Sequence, residues 1–190
     1  TKLSVGPTGL TAEFVAEKID QANRADTPAP GPLDKSALAQ RMSRHSDLLK
    51  GTHVLWVDDH PDNNRPIIQL LARFSVDVEA VTSNESAMEA LARHPARYDV
   101  LISDVGRDAE PSAGPFPGVA FAEQARLRTG LRTILYTGQF RPTSAPGLTA
   151  QQQLDLADRV VRNTFGATNR PDELIHLVLD VLERSPQQLA

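Results

Sequence analysis

The sequence of 190 residues contains no cysteine, and only 5% of its residues are aromatic. The absence of cysteine excludes disulfide bonds and cysteine-ligated zinc, and it suits a protein of a reducing compartment. No apolar stretch approaches the roughly 18 residues needed to cross a bilayer. No basic segment followed by an apolar one opens the chain. We therefore expect no membrane span within this segment.

An excess of basic charge is also missing. The formal net charge is −4, and the 23% of charged residues alternate in sign without a long run of either. This balance gives no reason to expect direct binding of nucleic acid. The 40% of apolar residues are enough for a sizeable core. Because the chain begins with Thr1 rather than Met, upstream domains or membrane spans stay open.

The first 50 residues predict a helical extension. Apolar residues recur at roughly helical spacing within residues 1–26. They are Leu10, Phe14, Ala16, Ile19 and Ala22. A proline-rich linker at 27–32 ends this helix, because proline lacks a backbone donor. A second helix from about Asp34 to Gly51 places four residues on one face. They are Leu38, Met42, His45 and Leu49. We thus expect an extension over 1–50 and a second domain over 51–190.

From residue 52 onward, strands alternate with helices. The strands are predicted at 52–58, 76–81, 98–103, 133–136 and 164–167. Helices are predicted at 64–74, 118–129, 148–162 and 170–184, the last capped by Asn169. A further helix is predicted to follow the capping box over Thr82–Glu85. The helix at 148–162 would place Leu154, Ala157 and Val161 on one face. An alternative puts the fifth strand at 159–163, but helical spacing fits this stretch better.

Five units of strand then helix predict an α/β domain with a parallel sheet covered on both faces. The order 2-1-3-4-5, a flavodoxin-like doubly wound sheet, suits a domain of this size. Ligands of such sheets bind beyond the carboxyl ends of the strands. These ends therefore indicate where to look for chemistry.

Three acidic residues and one threonine follow these strand ends. The first strand ends in Asp58 and Asp59, the third in Asp104, and the fourth in Thr137. Three converging carboxylates repel each other unless a cation is bound. Oxygen ligands of this kind select a hard ion such as Mg²⁺. A carboxylate beside that ion can act as a nucleophile toward a phosphoryl group.

Three of these strands resemble segments of the receiver domains of bacterial response regulators. The segments are Val-Leu-Trp-Val-Asp58-Asp59, Tyr98-Asp-Val-Leu-Ile-Ser-Asp104 and Ile134-Leu-Tyr-Thr137-Gly138. Asp59 precedes Asp104 by 45 residues, and Asp104 precedes Thr137 by 33. Both separations are close to those of the family, and the resemblance covers about residues 52–184.

The resemblance implies a role for each residue at the strand ends. Asp104 would accept the phosphoryl group and face the metal. Asp59 would ligate Mg²⁺ directly, Asp58 would assist, and Gly106 would supply a backbone carbonyl to the ion. Thr137 would bond the phosphoryl group and couple it to a conformational switch.

The resemblance also implies a setting for the protein. The domain would be cytoplasmic and regulatory rather than enzymatic, with at most slow self-phosphorylation and dephosphorylation. A histidine kinase or phosphotransfer protein would be its partner, and homodimer formation stays open.

Two features depart from the family. Receiver domains carry a lysine at the end of the fifth strand, but no lysine follows Lys50 here. Arg162 and Arg170 are the candidate replacements, and arginine differs from lysine in bulk and shape. The loop after Asp104 is also long, since the matching glycine, Gly118, lies 14 residues on. The insert at 108–117 would form a lid or a partner surface.

Three functions fit these observations. The leading one is a two-component receiver, phosphorylated on Asp104, that regulates a partner or an upstream domain. The second is a pseudo-receiver, a protein-interaction module not controlled by phosphorylation, which the missing lysine favours. The third is a metal-dependent phosphohydrolase, which we rank last because the adjacent pair Asp58 and Asp59 lacks Asp-x-Asp spacing. His60 is expected to be a solvated loop residue, and Trp56 a core residue.

Overall fold

A computed structural model describes residues 12–23, 29–107, 115–137, 142–145 and 147–184. The helices are α1 (Ala12–Ala22), α2 (Pro32–Arg44), α3 (Ser46–Leu49), α4 (Arg65–Arg73), α5 (Asn84–Arg93), α6 (Pro117–Thr129), α7 (Ala150–Asn163) and α8 (Pro171–Arg184). The strands are β1 (His53–Val57), β2 (Asp77–Val81), β3 (Val100–Ser103), β4 (Thr133–Tyr136) and β5 (Thr164–Thr168). In the part of the chain described, no helix is long and apolar enough to cross a bilayer.

The five strands form one sheet in the order β2-β1-β3-β4-β5, with all neighbouring strands parallel. The predicted architecture and strand order are therefore confirmed. Val57 pairs with Ser103, and Ser103 pairs with Leu135. This register brings the carboxyl ends of β1, β3 and β4 to one edge of the sheet.

The three N-terminal helices form an additional layer outside α4 and α8. Helix α1 packs against α2 and α4, while α2 and α3 pack against α8. Buried residues of this layer join the same apolar cluster as residues of the sheet, α4 and α8. The layer contributes Val15, Ile19, Ala22, Leu38, Ala39, Met42 and Leu49. Leu38, Met42 and Leu49 are fully buried, whereas Leu10 lies outside the described residues. The single predicted helix is divided at His45 into α2 and α3, so the prediction of one continuous helix is wrong.

The predicted inward face of α7 is wrong. Leu154 and Val161 are 60% and 72% exposed, whereas Leu156 and Val160 are buried. Helix α7 carries two apolar stripes, and spacing alone does not say which of them packs on the sheet. The alternative fifth strand at 159–163 is also wrong, because these residues are helical.

Several boundaries differ by one or two residues from those predicted. Ser83, not Thr82, caps α5, because its Oγ accepts a hydrogen bond from the Ser86 amide at 3.1 Å. Strand β3 begins at Val100 rather than at 98. Helix α8 begins at Pro171, so its cap falls on residue 170 rather than on Asn169.

Candidate functional site

The sheet register places two of the predicted acids side by side. The Asp104 amide donates to the Val57 carbonyl at 2.9 Å, and the Asp58 amide donates to the Val81 carbonyl at 3.0 Å. Asp58 and Asp104 thus each extend the ladder by one residue beyond β1 and β3. Both continue the alternation that directs Trp56 and Ile102 into the cluster under α4 and α8.

Asp58 is a buried carboxylate with both of its oxygens hydrogen-bonded. Its Oδ1 accepts from the His60 amide at 2.7 Å, and its Oδ2 accepts from Asn64 Nδ2 at 2.7 Å. Asn64 is itself buried at the end of a short 3₁₀ turn, Pro61–Asn64. These donors offset the cost of burying the charge. The sequence analysis missed Asn64, because its role follows from the path of the turn.

Asp59 directly follows Asp58 and lies beside His60. His60 Nδ1 is 3.1 Å from Asp59 Oδ1, and the His60 side chain is 68% exposed. One ligand atom from each of Asp58, Asp59 and His60 lies within 4.8 Å of the others. The expectation of an exposed His60 is confirmed, although the ring also contacts Asp59. The carboxylate oxygens fit a hard divalent cation such as Mg²⁺, which binds through one or two carboxylates and several waters.

The backbone around Asp104 is tightly enclosed. Its Oδ1 accepts from the Val105 amide at 2.7 Å, and the Gly118 amide donates to the Val105 carbonyl at 3.0 Å. A Cβ at Gly118 would lie 2.0 Å from the Asp104 carbonyl oxygen. The first turn of α6 therefore approaches the loop after β3 so closely that only glycine fits there. Most of the insert at 108–117 lies outside the described residues.

Arg107 is a second residue that the sequence analysis missed. It is only 4% exposed. Its Nη1 donates to Ser103 Oγ at 2.7 Å and to the Asp104 carbonyl at 2.8 Å, and its Nη2 donates to Asn84 Oδ1. An arginine three residues after an acid has no distinctive spacing, so only the fold reveals this buried position.

Thr137 lies where the sequence places it, directly after β4. Its amide donates to the Thr168 carbonyl at 3.1 Å, which ties it to the end of β5, and the residue is buried. Gly106 is exposed, and its role as a carbonyl ligand stays a prediction.

The two arginines considered as lysine replacements are engaged elsewhere. Arg162 lies on α7, where its 70% exposed side chain pairs with Asp158 at 2.8 Å. Arg170 follows β5, but its Nη2 is 2.6 Å from the buried Asp172 carboxylate, and its Nε is 3.5 Å from Glu173. The hydrogen bond to Asp172 raises the pKa of the Arg170 guanidinium above its usual value. Arg162 is therefore paired with a carboxylate of its own helix, α7, and Arg170 with carboxylates of the helix that follows it, α8.

Comparison with known proteins finds solved structures with a similar fold but no protein with a matching sequence. No family model matches the chain, and no curated protein does. A response regulator receiver domain protein from Clostridium thermocellum matches with a TM-score of 0.53 and 17% identity, over 70% of this chain and 95% of that one. A two-component response regulator from Clostridium difficile gives a TM-score of 0.53 at 15% identity, over 70% and 97% of the two chains.

A response regulator receiver protein from Pseudomonas putida gives a TM-score of 0.50 at 20% identity, over 68% of this chain and 96% of that one. Identities this low support a shared fold alone. Each of these neighbours is covered almost completely, while nearly a third of this chain lies outside the match. The chain therefore has the five-stranded parallel α/β fold of response regulator receiver domains.

Proposed function

We propose that this chain is a two-component receiver module whose phosphoacceptor is Asp104. The observation that carries the proposal is the placement of Asp58 and Asp104 at adjacent strand ends, with Asp59 directly after Asp58 and beside His60. A carboxylate that accepts a phosphoryl group needs access to the donor and a nearby cation. Asp104 is partly exposed at the pocket and meets the first need.

The pocket residues divide the work of phosphoryl transfer. An Asp104 carboxylate oxygen forms the new bond to phosphorus while the bond from phosphorus to the donor breaks. Asp59 and the Gly106 carbonyl would hold Mg²⁺, with Asp58 assisting, and the bound ion would neutralise the phosphoryl oxygens. Asn64 holds the Asp58 carboxylate in place. Thr137, tied to β5, would carry the change of state to the neighbouring surface.

The natural donor would be a histidine kinase or a phosphotransfer protein. Such a partner follows from the receiver fold rather than from any surface described above. The output would be a changed contact with a partner or with a domain elsewhere in the same protein.

Acetyl phosphate and Mg²⁺ provide a direct test, read by intact mass. The wild-type chain should gain the mass of one phosphoryl group with release of acetate, and chelation of Mg²⁺ should abolish the gain. Asp104→Asn should show no gain. Asp62→Asn is the matched control, because Asp62 is a strongly exposed acid in the turn beside the pocket. A gain that persists in Asp104→Asn would refute the assignment of the phosphoacceptor.

A pseudo-receiver is the second candidate, and one observation favours it. Arg162 and Arg170, the candidate replacements for the family's lysine, are both paired with carboxylates of nearby residues. If the chain is a pseudo-receiver, it should gain no phosphoryl group from any small donor, even at saturating Mg²⁺. The same mass experiment therefore separates the two functions.

A further inference from the structure

The buried carboxylate of Asp58 carries a charge that its hydrogen bonds do not neutralise. Asp58 is 3% exposed, and its hydrogen-bond donors, the His60 amide and the Asn64 side chain, are both uncharged. Within the described part of the chain, no lysine or arginine forms an ion pair with this carboxylate. Buried charges in proteins are paired with an opposite charge or coordinate a metal ion. A bound cation would therefore neutralise Asp58.

The cluster of Asp58, Asp59 and His60 contains an imidazole as well as two carboxylates. One ligand atom from each residue lies within 4.8 Å of the others, and His60 Nδ1 is 3.1 Å from Asp59 Oδ1. Two ligand atoms that are each about 2.1 Å from one ion lie ~3.0 Å apart when they meet it at a right angle. The same separation suits a direct hydrogen bond, so an experiment has to distinguish a metal ligand from a hydrogen-bonding partner.

The turn after β1 holds the imidazole of His60 next to the carboxylates. The His60 amide donates to Asp58 Oδ1 at 2.7 Å, which ties the backbone of His60 to the first acid. The His60 side chain is 68% exposed, whereas the Asp59 side chain is only 10% exposed. An ion and its waters can therefore reach the ring from solvent while the carboxylates lie deeper in the protein.

We propose that His60 is a ligand of the divalent ion in this pocket and shifts the preference of the site from Mg²⁺ toward first-row transition ions that accept imidazole. This inference rests on the proposed function, since it concerns the ion that would assist phosphoryl transfer to Asp104. Mg²⁺ takes oxygen ligands and keeps several waters, whereas Zn²⁺ and related ions bind imidazole nitrogen readily. His60 is thus a specificity-determining residue of the metal site.

The test compares Zn²⁺ with Mg²⁺ on the full chain. The affinity for each ion is measured by calorimetry, and the ligand is identified by the ring ¹⁵N resonances of a chain labelled at its histidines. The variants are His60→Ala, which removes the nitrogen ligand, and His94→Ala, the matched control at another exposed histidine. Urea unfolding shows which variants are folded.

The wild-type chain should bind Zn²⁺ more tightly than Mg²⁺, and Zn²⁺ should shift a ring nitrogen resonance of His60. His60→Ala should remove that shifted resonance and weaken Zn²⁺ binding by about tenfold or more, since loss of a residue that only supports a metal ligand already costs about that much. The affinity of His60→Ala for Mg²⁺ should stay close to that of wild type. His94→Ala should keep both affinities and the shifted resonance.

Three other results have distinct meanings. If Zn²⁺ shifts no His60 resonance, or if His60→Ala weakens both ions equally, the inference is overturned and the proposed function stands. If the wild-type chain binds neither ion, the proposed function fails and the inference falls with it. If Zn²⁺ shifts the His60 resonance but acetyl phosphate and Mg²⁺ give no phosphoryl gain, His60 is a metal ligand and only the receiver function is refuted.

Discussion

At the scale of single residues, the acids were predictable because they follow apolar strands. Asp58, Asp59 and Asp104 each stand one or two residues beyond a buried strand, and parallel strands end at one edge of a sheet. The residues that hold them were not predictable. Asn64 and Arg107 lie in turns whose paths no spacing rule specifies, and both are buried. Sequence patterns thus predicted that these acids follow the strand ends but not the residues that form hydrogen bonds around them.

The close approach of α6 to Asp104 gives a prediction for Gly118→Ala. The added methyl would overlap the Asp104 carbonyl oxygen, and the three nearest atoms are all backbone, so no flexible side chain can move away. We expect a loss of about 1–3 kcal/mol in the free energy of unfolding, measured by urea denaturation.

Gly106→Ala is the matched control for stability in the same loop. Nothing lies within 4 Å of a Cβ built there, so its free energy of unfolding should change by no more than about 0.5 kcal/mol. Equal losses in the two variants would contradict the close-approach argument.

At the scale of elements, periodicity identified most helices and strands but not their orientation. The sequence of α7 places Leu154, Ala157 and Val161 on one stripe and Leu156 and Val160 on another, and the second stripe is buried. The choice depends on where α6 and β5 lie around the helix, which local sequence does not encode. The β-strands were easier, since four residues of β3 and of β4 are buried on both faces and read as continuous apolar runs.

The junction between α2 and α8 contains a titratable group. Arg41 Nη1 lies 3.0 Å from His176 Nδ1, and Arg41 Nη2 lies 2.5 Å from Asp180 and 2.9 Å from Glu183. Burial, and then the charge of Arg41, lower the pKa of His176 below its usual value, although nearby acids oppose the shift. His176 therefore accepts a hydrogen bond from Arg41 as a neutral ring.

This lowered pKa predicts how stability depends on pH. In the window between the lowered pKa and the usual value of about 6.5, the unfolded chain binds more protons than the folded one. The contribution of His176 is fully present above that window and is lost as the pH falls through it. The slope for one proton is at most about 1.4 kcal/mol per pH unit.

Urea unfolding between about pH 7.5 and pH 5 measures this dependence. His176→Gln should flatten the pH dependence relative to wild type, whereas His94→Gln, which changes an exposed histidine, should leave it unchanged. An unaltered pH dependence in His176→Gln would contradict the assignment of this dependence to His176.

At the scale of the whole molecule, the alternation of strands and helices predicted the sheet and its order. The extension over 1–50 was also predicted to be helical, and its apolar faces were predicted in part. What covers those faces was not predictable, because helical spacing shows that a face is apolar without showing its partner. In the structure that partner is the outer surface of α4 and α8, and one apolar cluster runs from Ile19 and Met42 to the sheet.

This shared cluster predicts that the N-terminal helices and the sheet unfold together. Ile19→Ala and Met42→Ala remove fully buried side chains and should each lower the free energy of unfolding by about 2–5 kcal/mol. Leu33→Ala is the control, since Leu33 is 85% exposed on α2 and its loss should have little effect.

Trp56 fluorescence reports on β1, whereas far-ultraviolet circular dichroism reports on all helices. For Ile19→Ala and Met42→Ala, both signals should shift to lower urea by the same amount. If the Trp56 transition stays at its wild-type midpoint while part of the helical signal is lost earlier, the N-terminal layer folds as a separate unit, as the sequence division at residue 50 suggests.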